Sequence, residues 1–554
     1  MTDPIERIDA LTRNARNTWF ALLSALLFVG VTLMGVEHID FYGVDRATQL
    51  PLIGVSVPTP LFFYAAPLLT TAIYCYFHLY LIRLWDALGS APARVNGTRL
   101  GDAISPWLLT DAALHLRRHL RRDNCTAPRA MEGASALVNF ALSWGLGWAV
   151  LGYAWSQSLP ARDLWMSQIA ATCLAIAIIC GTTSLAMTYR RLGMQDRATA
   201  EESHRIWSTI PAIFGLSALL LILPALTWQK TSGSTDQLAE LDLSNQNVVE
   251  RPKGWLPYDI ARRDFLSRWC KREAPRCKRT ESPPQAFEIE WQKRRTMAVK
   301  TLKKPAWAAP TVPSPDFRGA NLTGAFMAGI DVRNGQFDAS ELGQADLEGA
   351  NMQYATLVGA DMRQAVLNHA KLDNAALSKA DLRFANLTNA SLHHAGLEEA
   401  TLISATLIGT DFWSASMNGV DLSASKISRK ETFANNLLDA DLNGSTNHGG
   451  AIRNANLKSF SFDQDTDWRN VFLDGSVSLP FRLTKRLGEP CQWTRMVLQD
   501  EVFFGLWRGW VEQQIAAQWP LIAPIGWEDV TPIPPPKGCT WKTGPMPRWH
   551  GGGR

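Results

Sequence analysis

Residues 345–389 read ADLEG ANMQY ATLVG ADMRQ AVLNH AKLDN AALSK ADLRF ANLTN, nine five-residue units in a row with Ala first and Leu or Met third. The phase reaches well beyond them. Stepping by five from Phe317 through Leu322, Met327 and Val332 to Leu422 and Ile427, every stop is apolar, 23 in succession. After a weak patch at Thr432 and Asn447 it reappears at Leu437, Leu442, Ile452, Leu457 and Phe462. Five residues of α-helix turn through about 500°, which would spiral the large side chains over every face, and on a flat strand an odd step would flip them from face to face. A chain that turns a corner every five residues avoids both outcomes. The small and the large residue, two apart, point inward from a short extended edge, Gly, Asn, Asp and Ser sit in the turn, and neighbouring coils supply the backbone partners.

The units Ala345-Asp346-Leu347-Glu348-Gly349, Ala385-Asn386-Leu387-Thr388-Asn389 and Ala380-Asp381-Leu382-Arg383-Phe384 resemble those of pentapeptide-repeat proteins, whose motif is Ala-Asp/Asn-Leu followed by two variable residues. The resemblance covers residues 316–462. It implies an all-β, right-handed quadrilateral β-helix with four repeats per coil, so that thirty repeats would stack as about seven and a half coils, a rod of about 35 Å at the spacing of paired strands. It also implies a scaffold rather than a catalyst, in a family that includes cytosolic DNA mimics protecting gyrase. The Ala is lost at Ile330, Gly335 and Ser340, and the stretch from Ser425 to Asn435 is irregular, so a bulge or loop is expected there.

The other half of the chain has a different composition. Of all 554 residues 46% are hydrophobic and only 19% charged, which excludes a single soluble domain. No charge occurs between Arg16 and Glu37, Arg46 and Arg83, Glu132 and Arg162, Asp163 and Arg190, or Arg205 and Lys230. Five transmembrane helices are expected near 18–36, 61–82, 134–155, 165–187 and 206–228. They follow a cytoplasmic arm at 1–17 and make 18–228 a helical membrane domain of no recognised family. Fifteen Arg lie in the arm and in the loops at 83–133 and 190–205, against Arg46 and Arg162 in the alternate loops. The positive-inside rule then puts the N terminus in the cytoplasm of a bacterial inner membrane and everything after 228 in the periplasm. The helix around Leu108 to Arg122, with Arg117, Arg118, Arg121 and Arg122 at its end, is expected to lie on anionic lipid.

Residues 229–315 are expected to form a helical collar and a Pro-rich linker, and 463–554 a Trp-rich cap and tail with a helix from Cys491 to Ala517. That helix either caps the rod or forms a homodimer. Four cysteines lie on the periplasmic side of this topology. Cys270 with Cys277 and Cys491 with Cys539 are the candidate disulfides, zinc or free thiols being the alternatives.

Catalytic signatures are absent: no P-loop, no GxGxxG after a strand, no HExxH and no GxSxG occurs. His78 is the one ionisable imidazole in a span, near its cytoplasmic end, where snorkelling would suffice, and His393 and His394 fall on an outward turn. No cofactor, metal or nucleic acid is called for. Net charge over 316–462 is −5, from sixteen acids and eleven bases. With a repeat of twenty, Asn321, Glu341, Asp361, Asp381, Thr401, Asp421 and Asp441 stack on one face, whose acids form a candidate surface for an unknown protein partner. Asp as a plain turn former is the alternative. The reading that follows is a scaffold anchored in the lipid bilayer that presents a periplasmic rod. A gyrase-protecting DNA mimic and a channel governed by the rod are the alternatives.

Overall fold

Every corner of the rod closes in the same way. In the unit from Glu341 to Ala345, the Ala345 amide donates to the Leu342 carbonyl at 3.1 Å, a β-turn whose third residue, Gln344, has φ of 59°. That value belongs to turns that favour Gly, yet Ala339, Tyr354, Lys379 and Phe384 occupy the same position with φ of 54–62°. The coil below and the coil above compensate. The Leu342 amide donates to the Asp361 carbonyl at 2.6 Å, the Gln344 amide to the Arg363 carbonyl at 2.8 Å, and the Glu341 amide to the Ala320 carbonyl at 2.9 Å. Backbone pairing is thus satisfied between coils in a pattern independent of side chains.

The computed structural model describes residues 4–51, 53–128, 132–193, 210–272, 285–309, 311–312, 314–418, 420–422, 425–428, 451–453, 472–478, 496–499, 501–507, 509 and 533–534. The chain divides into two compact units, 1–41 with 45–239 and 42–44 with 240–554.

In the second unit parallel bridges join Asp316 to Gln336, Asn321 to Glu341, Glu341 to Asp361 and onward in steps of twenty to Asp421, the four-sided coil expected. Ala and Leu of each repeat line the interior without solvent contact, and the rings of Phe317 and Phe337 stack at 5.0 Å where Gly335 and Ser340 replace Ala. Deviations occur at both ends. Asp242 pairs with Asn321 and Asn247 with Phe326, so residues 240–249 are a partial coil rather than part of a helical collar, with Leu241, Leu243, Val248 and Val249 buried. Alternation of apolar residues over so short a stretch was too little to separate a strand from a turn of helix.

Between this partial coil and the first full one the chain inserts two helices, Tyr258–Arg272 and Gln285–Lys300. Toward the C terminus the strands Thr406–Ile408, Lys426–Ser428, Ala451–Arg453 and Phe472–Leu473 form one parallel sheet. Ile427 pairs with Ile452 and Ile452 with Leu473, so the coil outruns the expected limit at 462 and the irregularity expected after Ser425 is a longer excursion. Leu437, Leu442, Leu457 and Phe462 lie outside the described residues. Of the helix expected at 491–517, residues 496–499 are not helical, the Leu498 amide donating instead to Asp474, whereas 501–507 are, with Phe503, Phe504 and Trp507 buried, so the helix starts later than expected.

The first unit is helical: α1 (Pro4–Met34), α2 (Thr59–Ser90), α3 (Leu108–Arg121), α4 (Glu132–Phe140), α5 (Leu146–Ser158), α6 (Leu164–Gly193) and α7 (Ile210–Ser232). Among the described residues four helical stretches are long and apolar enough to cross a membrane: Pro4–Met34, Thr59–Ser90, Gly133–Ala161 and Leu164–Gly193. Among the described residues the count is four, not the five expected. The fifth expected span begins outside the described residues, and what remains, α7, holds Pro224 and ends in Gln229, Lys230, Thr231 and Ser232. Its last turns are nonetheless tied into the bundle. The Trp155 indole donates to the Thr227 hydroxyl at 3.0 Å and the Gln168 amide to the Pro224 carbonyl at 2.9 Å, beside the α5–α6 turn and remote from Arg190 and Arg191 at the other end of α6.

Tyr74 of α2 fills the centre of the bundle, and a Cβ on Gly147 or Gly181 would meet its side chain at 2.4 Å or 2.5 Å, so both positions exclude any larger residue. His78, expected to snorkel, is instead 0% exposed among Tyr74, Phe77 and Trp144. Helical position alone could not tell which way this side chain would turn. Arg117 and Arg121 also point inward. Arg117 donates to the Leu88 carbonyl and pairs with Asp123, while Arg121 donates to the carbonyls of Gly89, Arg191 and Leu192. These two guanidiniums therefore cap the C termini of α2 and α6, where helix carbonyls lack partners, and are not spread on lipid as expected.

The left-handed corners yield a stability test. Ala→Gly costs about 1 kcal/mol in right-handed helical backbone, whereas a left-handed residue other than Gly carries a penalty of about 1–2 kcal/mol. Ala339→Gly, at an exposed corner, is expected to melt no lower than the parent protein in a thermal unfolding scan.

Candidate interaction faces of the β-helix

Four faces result from a coil of four repeats, and their side chains at equivalent positions recur every twenty residues. The face read as acidic does assemble: Asn321, Glu341, Asp361, Asp381, Thr401 and Asp421 stand in one bridged column, and Asp441 lies outside the described residues. Its charge is largely spent locally. Asp361 accepts the Arg363 amide at 3.1 Å and pairs with that guanidinium at 2.5 Å, and Asp381 does the same with Arg383 at 3.1 Å and 2.6 Å. Arg363 also stands 3.9 Å from Asp381, so the column is an alternating ladder. The Arg363 guanidinium holds the Asp361 carboxyl below the ordinary carboxylate range. The amide contacts are those of a turn-forming Asp, so both roles foreseen for these residues share the same atoms.

A second face carries a cluster that single-repeat reading missed. Asp373 accepts from the Gln353 side-chain amide at 2.7 Å, from the Ser391 hydroxyl and from the His393 backbone amide at 3.2 Å. The His393 Nε2 lies 2.7 Å from Asp411, and both His393 and His394 pack on Trp413. Gln353, Asp373, His393 and Trp413 are spaced by twenty, the one signal in the sequence that could have grouped them. No set of His, Cys, Asp and Glu suited to a metal ion occurs among the described residues.

The third face is covered by the two inserted helices, α8 (Tyr258–Arg272) and α9 (Gln285–Lys300). They bury Tyr258, Phe265, Trp269, Phe287 and Trp291 in one cluster, with Val366 of the coil against it. One ion pair pins this strap. Arg295 of α9 donates through Nε to both Glu348 oxygens at 2.8 Å and 3.0 Å and through a terminal nitrogen at 2.7 Å, and its guanidinium stacks 4.1 Å from the Trp255 ring. The pair is nearly closed to water, at 8% and 1% exposure. Burial pushes the Glu348 carboxyl up to about 7 although Arg295 pulls the other way. Glu348 was legible as a variable residue of its repeat; its partner, 53 residues upstream, was not.

Cys270 closes α8 half-buried against this cluster. The other three cysteines of the expected disulfides, Cys277, Cys491 and Cys539, lie outside the described residues. Cys75, Cys125, Cys173 and Cys180 are free thiols.

The family profile described as pentapeptide repeats matches eight copies between residues 316 and 423. Residues 316–423 are pentapeptide repeats. Among solved structures, the chain is similar to Rfr23 from the cyanobacterium Cyanothece, at 29% identity over 22% of this chain and 63% of that one, with a TM-score of 0.14. It is similar also to HetL from the cyanobacterium Nostoc, involved in heterocyst differentiation regulation, at 23% identity over 30% and 76% with a TM-score of 0.14. A third is QnrB1, a plasmid-mediated fluoroquinolone resistance protein, at 18% identity over 29% and 86% with a TM-score of 0.18. This chain thus spans less than two thirds of Rfr23. Among curated proteins nothing matches significantly. The profile match covers 316–423 and does not extend to the helical unit.

A carboxyl raised from 4.5 in the unfolded chain to about 7 when folded binds more protons folded than unfolded between those values. Its contribution is therefore complete below pH 4.5 and is lost as pH rises toward 7, by up to about 3 kcal/mol. Glu348→Gln is expected to flatten that part of the stability-against-pH curve in denaturant unfolding. An unchanged slope would assign the proton elsewhere.

Proposed function

We propose that this chain is a membrane-anchored scaffold that holds its pentapeptide-repeat rod on the far side of the membrane from the arginine-rich loops, as a surface for protein–protein interaction. The observation that carries the scaffold reading is one chain joining four helices of membrane-spanning length to a rod whose ladder from Glu341 to Asp421 meets solvent among the described residues; the far side further requires α7 to cross as a fifth. Non-enzymatic interaction is also the general habit of pentapeptide-repeat proteins. Sidedness depends on α7. Its hydrogen bonds to Trp155 and Gln168 favour a further crossing antiparallel to α6, and fifteen Arg against two in the short loops favour a cytoplasmic N terminus. A reporter active only in the bacterial periplasm, fused at Arg554, is then expected to be active. Activity of a cytoplasm-only reporter there would place the rod on the N-terminal side.

The ladder of Glu341, Asp361, Asp381 and Asp421, continued in sequence by Asp441, is the proposed partner face. Alternation of Asp with Arg363 and Arg383 suits a partner that is itself charge-patterned, and it lacks the unbroken negative charge that mimicry of DNA would need. Replacing Asp361, Asp381 and Asp421 together by Asn is expected to lower crosslinking to the rod's partner, and its salt dependence, while the circular dichroism of the coil is kept. Equal crosslinking would reduce these residues to turn formers.

A further inference from the structure

Between α1 and α2, at the arginine-rich end of the helical unit, lies a cavity of about 420 Å3 lined by Arg7, Ala10, Leu11, Arg83 and Asp86, within the usual range for a small-ligand site. Its charge is uneven. Asp86 is engaged from the side by Arg191, whose Nε stands 2.9 Å from Oδ1, whereas Arg7 and Arg83 have no acidic partner among the described residues. The lining thus holds two arginines against one carboxylate that is already engaged by Arg191, together with the apolar Ala10 and Leu11.

Depth along the helices indicates what would neutralise them. Arg16 is the last charge of α1 before Glu37, and Arg83 is the first of α2 after Arg46, so these two mark the edge of the uncharged stretches. Arg83, at that edge, stands within the polar layer of about 5–8 Å that flanks the hydrocarbon on each side, and Leu11, five residues or about 8 Å beyond Arg16, stands at its outer limit. On α2 the hydroxyls of Tyr76 and Tyr80 lie 3.2 Å apart within two turns of Arg83, with Tyr76 exposed. Tyrosines at this level are typical of the membrane–water interface.

We propose that this cavity binds the phosphate of an anionic phospholipid. Arg7 and Arg83 would hold its oxygens by charge-assisted, two-pronged hydrogen bonds, Ala10 and Leu11 would take the glycerol, and the acyl chains would run up α2 past Tyr80 and Tyr76. The site rests on the membrane reading above.

The full chain, purified in detergent and exchanged into bilayers of phosphatidylcholine with or without phosphatidylglycerol, tests it by native mass spectrometry of retained lipid. Arg7→Gln with Arg83→Gln is expected to weaken phosphatidylglycerol retention about thirtyfold, from two interfacial basic contacts. Arg13→Gln with Arg16→Gln, the same charge loss on exposed residues outside the cavity, is expected to leave it unchanged, and Arg7→Lys with Arg83→Lys, which keeps the charge and loses the two-pronged bonds, to fall between the two. Equal loss in both Gln pairs, or no loss in the first, overturns the site. Inorganic phosphate displacing the lipid at equal concentration overturns the lipid as its source. Release of the chain from membranes by alkaline carbonate would overturn the membrane reading and this site with it, whereas a chain that stays in the membrane but ignores phosphatidylglycerol overturns the site alone.

Discussion

A parallel backbone pairing repeated every twenty residues sets the terms for the rest of the second unit. Each repeat gives one edge, one inward Ala, one inward Leu or Met, and a corner with positive φ. The strain of those corners is offset by amide-to-carbonyl bonds on both neighbouring coils, so Tyr354, Lys379 and Phe384 are held at corners as well as Gly359. Side chains outside the two inward positions are therefore released from structural duty, and faces of quite different character stand on one core.

That freedom is used differently around the coil. One face was given to Glu348 and Val366, which receive the inserted helices, and to Phe326, which packs on Trp255 ahead of them. Burying a carboxylate there requires a partner with more than one donor, because an ion taken out of water repays its desolvation only with good geometry and several hydrogen bonds. Arg295 meets that requirement with three bonds to Glu348, and stacking on Trp255 covers its planar side. On the opposite pattern, Asp361 and Asp381 stay near water with arginines two residues on, an arrangement worth little to stability and thus available for recognition.

The rod was legible because its period is short and its inward residues are invariant in kind; a step of five allowed neither helix nor flat strand, and a step of twenty then placed Glu341 beside Asp361. The helices of the first unit were legible from uncharged length alone. Illegible were features resting on distant or single partners. Leu243 and Val248 stand five apart, the step of the coil, but nothing near them announces that Leu243 bonds to Asn321 across two helices, and nothing in Arg117 or Arg121 distinguishes an arginine that caps a neighbouring helix from one that meets lipid. The strands after Ser428 escaped for a third reason, since Ile452 keeps the phase of five but Leu473 leaves it.

The partial coil at 240–249 has a consequence for growth. A β-helix ends in open edges, each able to template another strand. With Leu243 and Val249 bonded to the carbonyls of Asn321 and Phe326, part of the N-terminal edge is occupied by a segment synthesised before the coil it covers, while new coils emerge at the other edge as translation proceeds. Assembly of this solenoid accordingly has a direction: it is sealed where it begins and extends toward its C terminus, and head-to-tail addition of a second copy is obstructed at the starting edge.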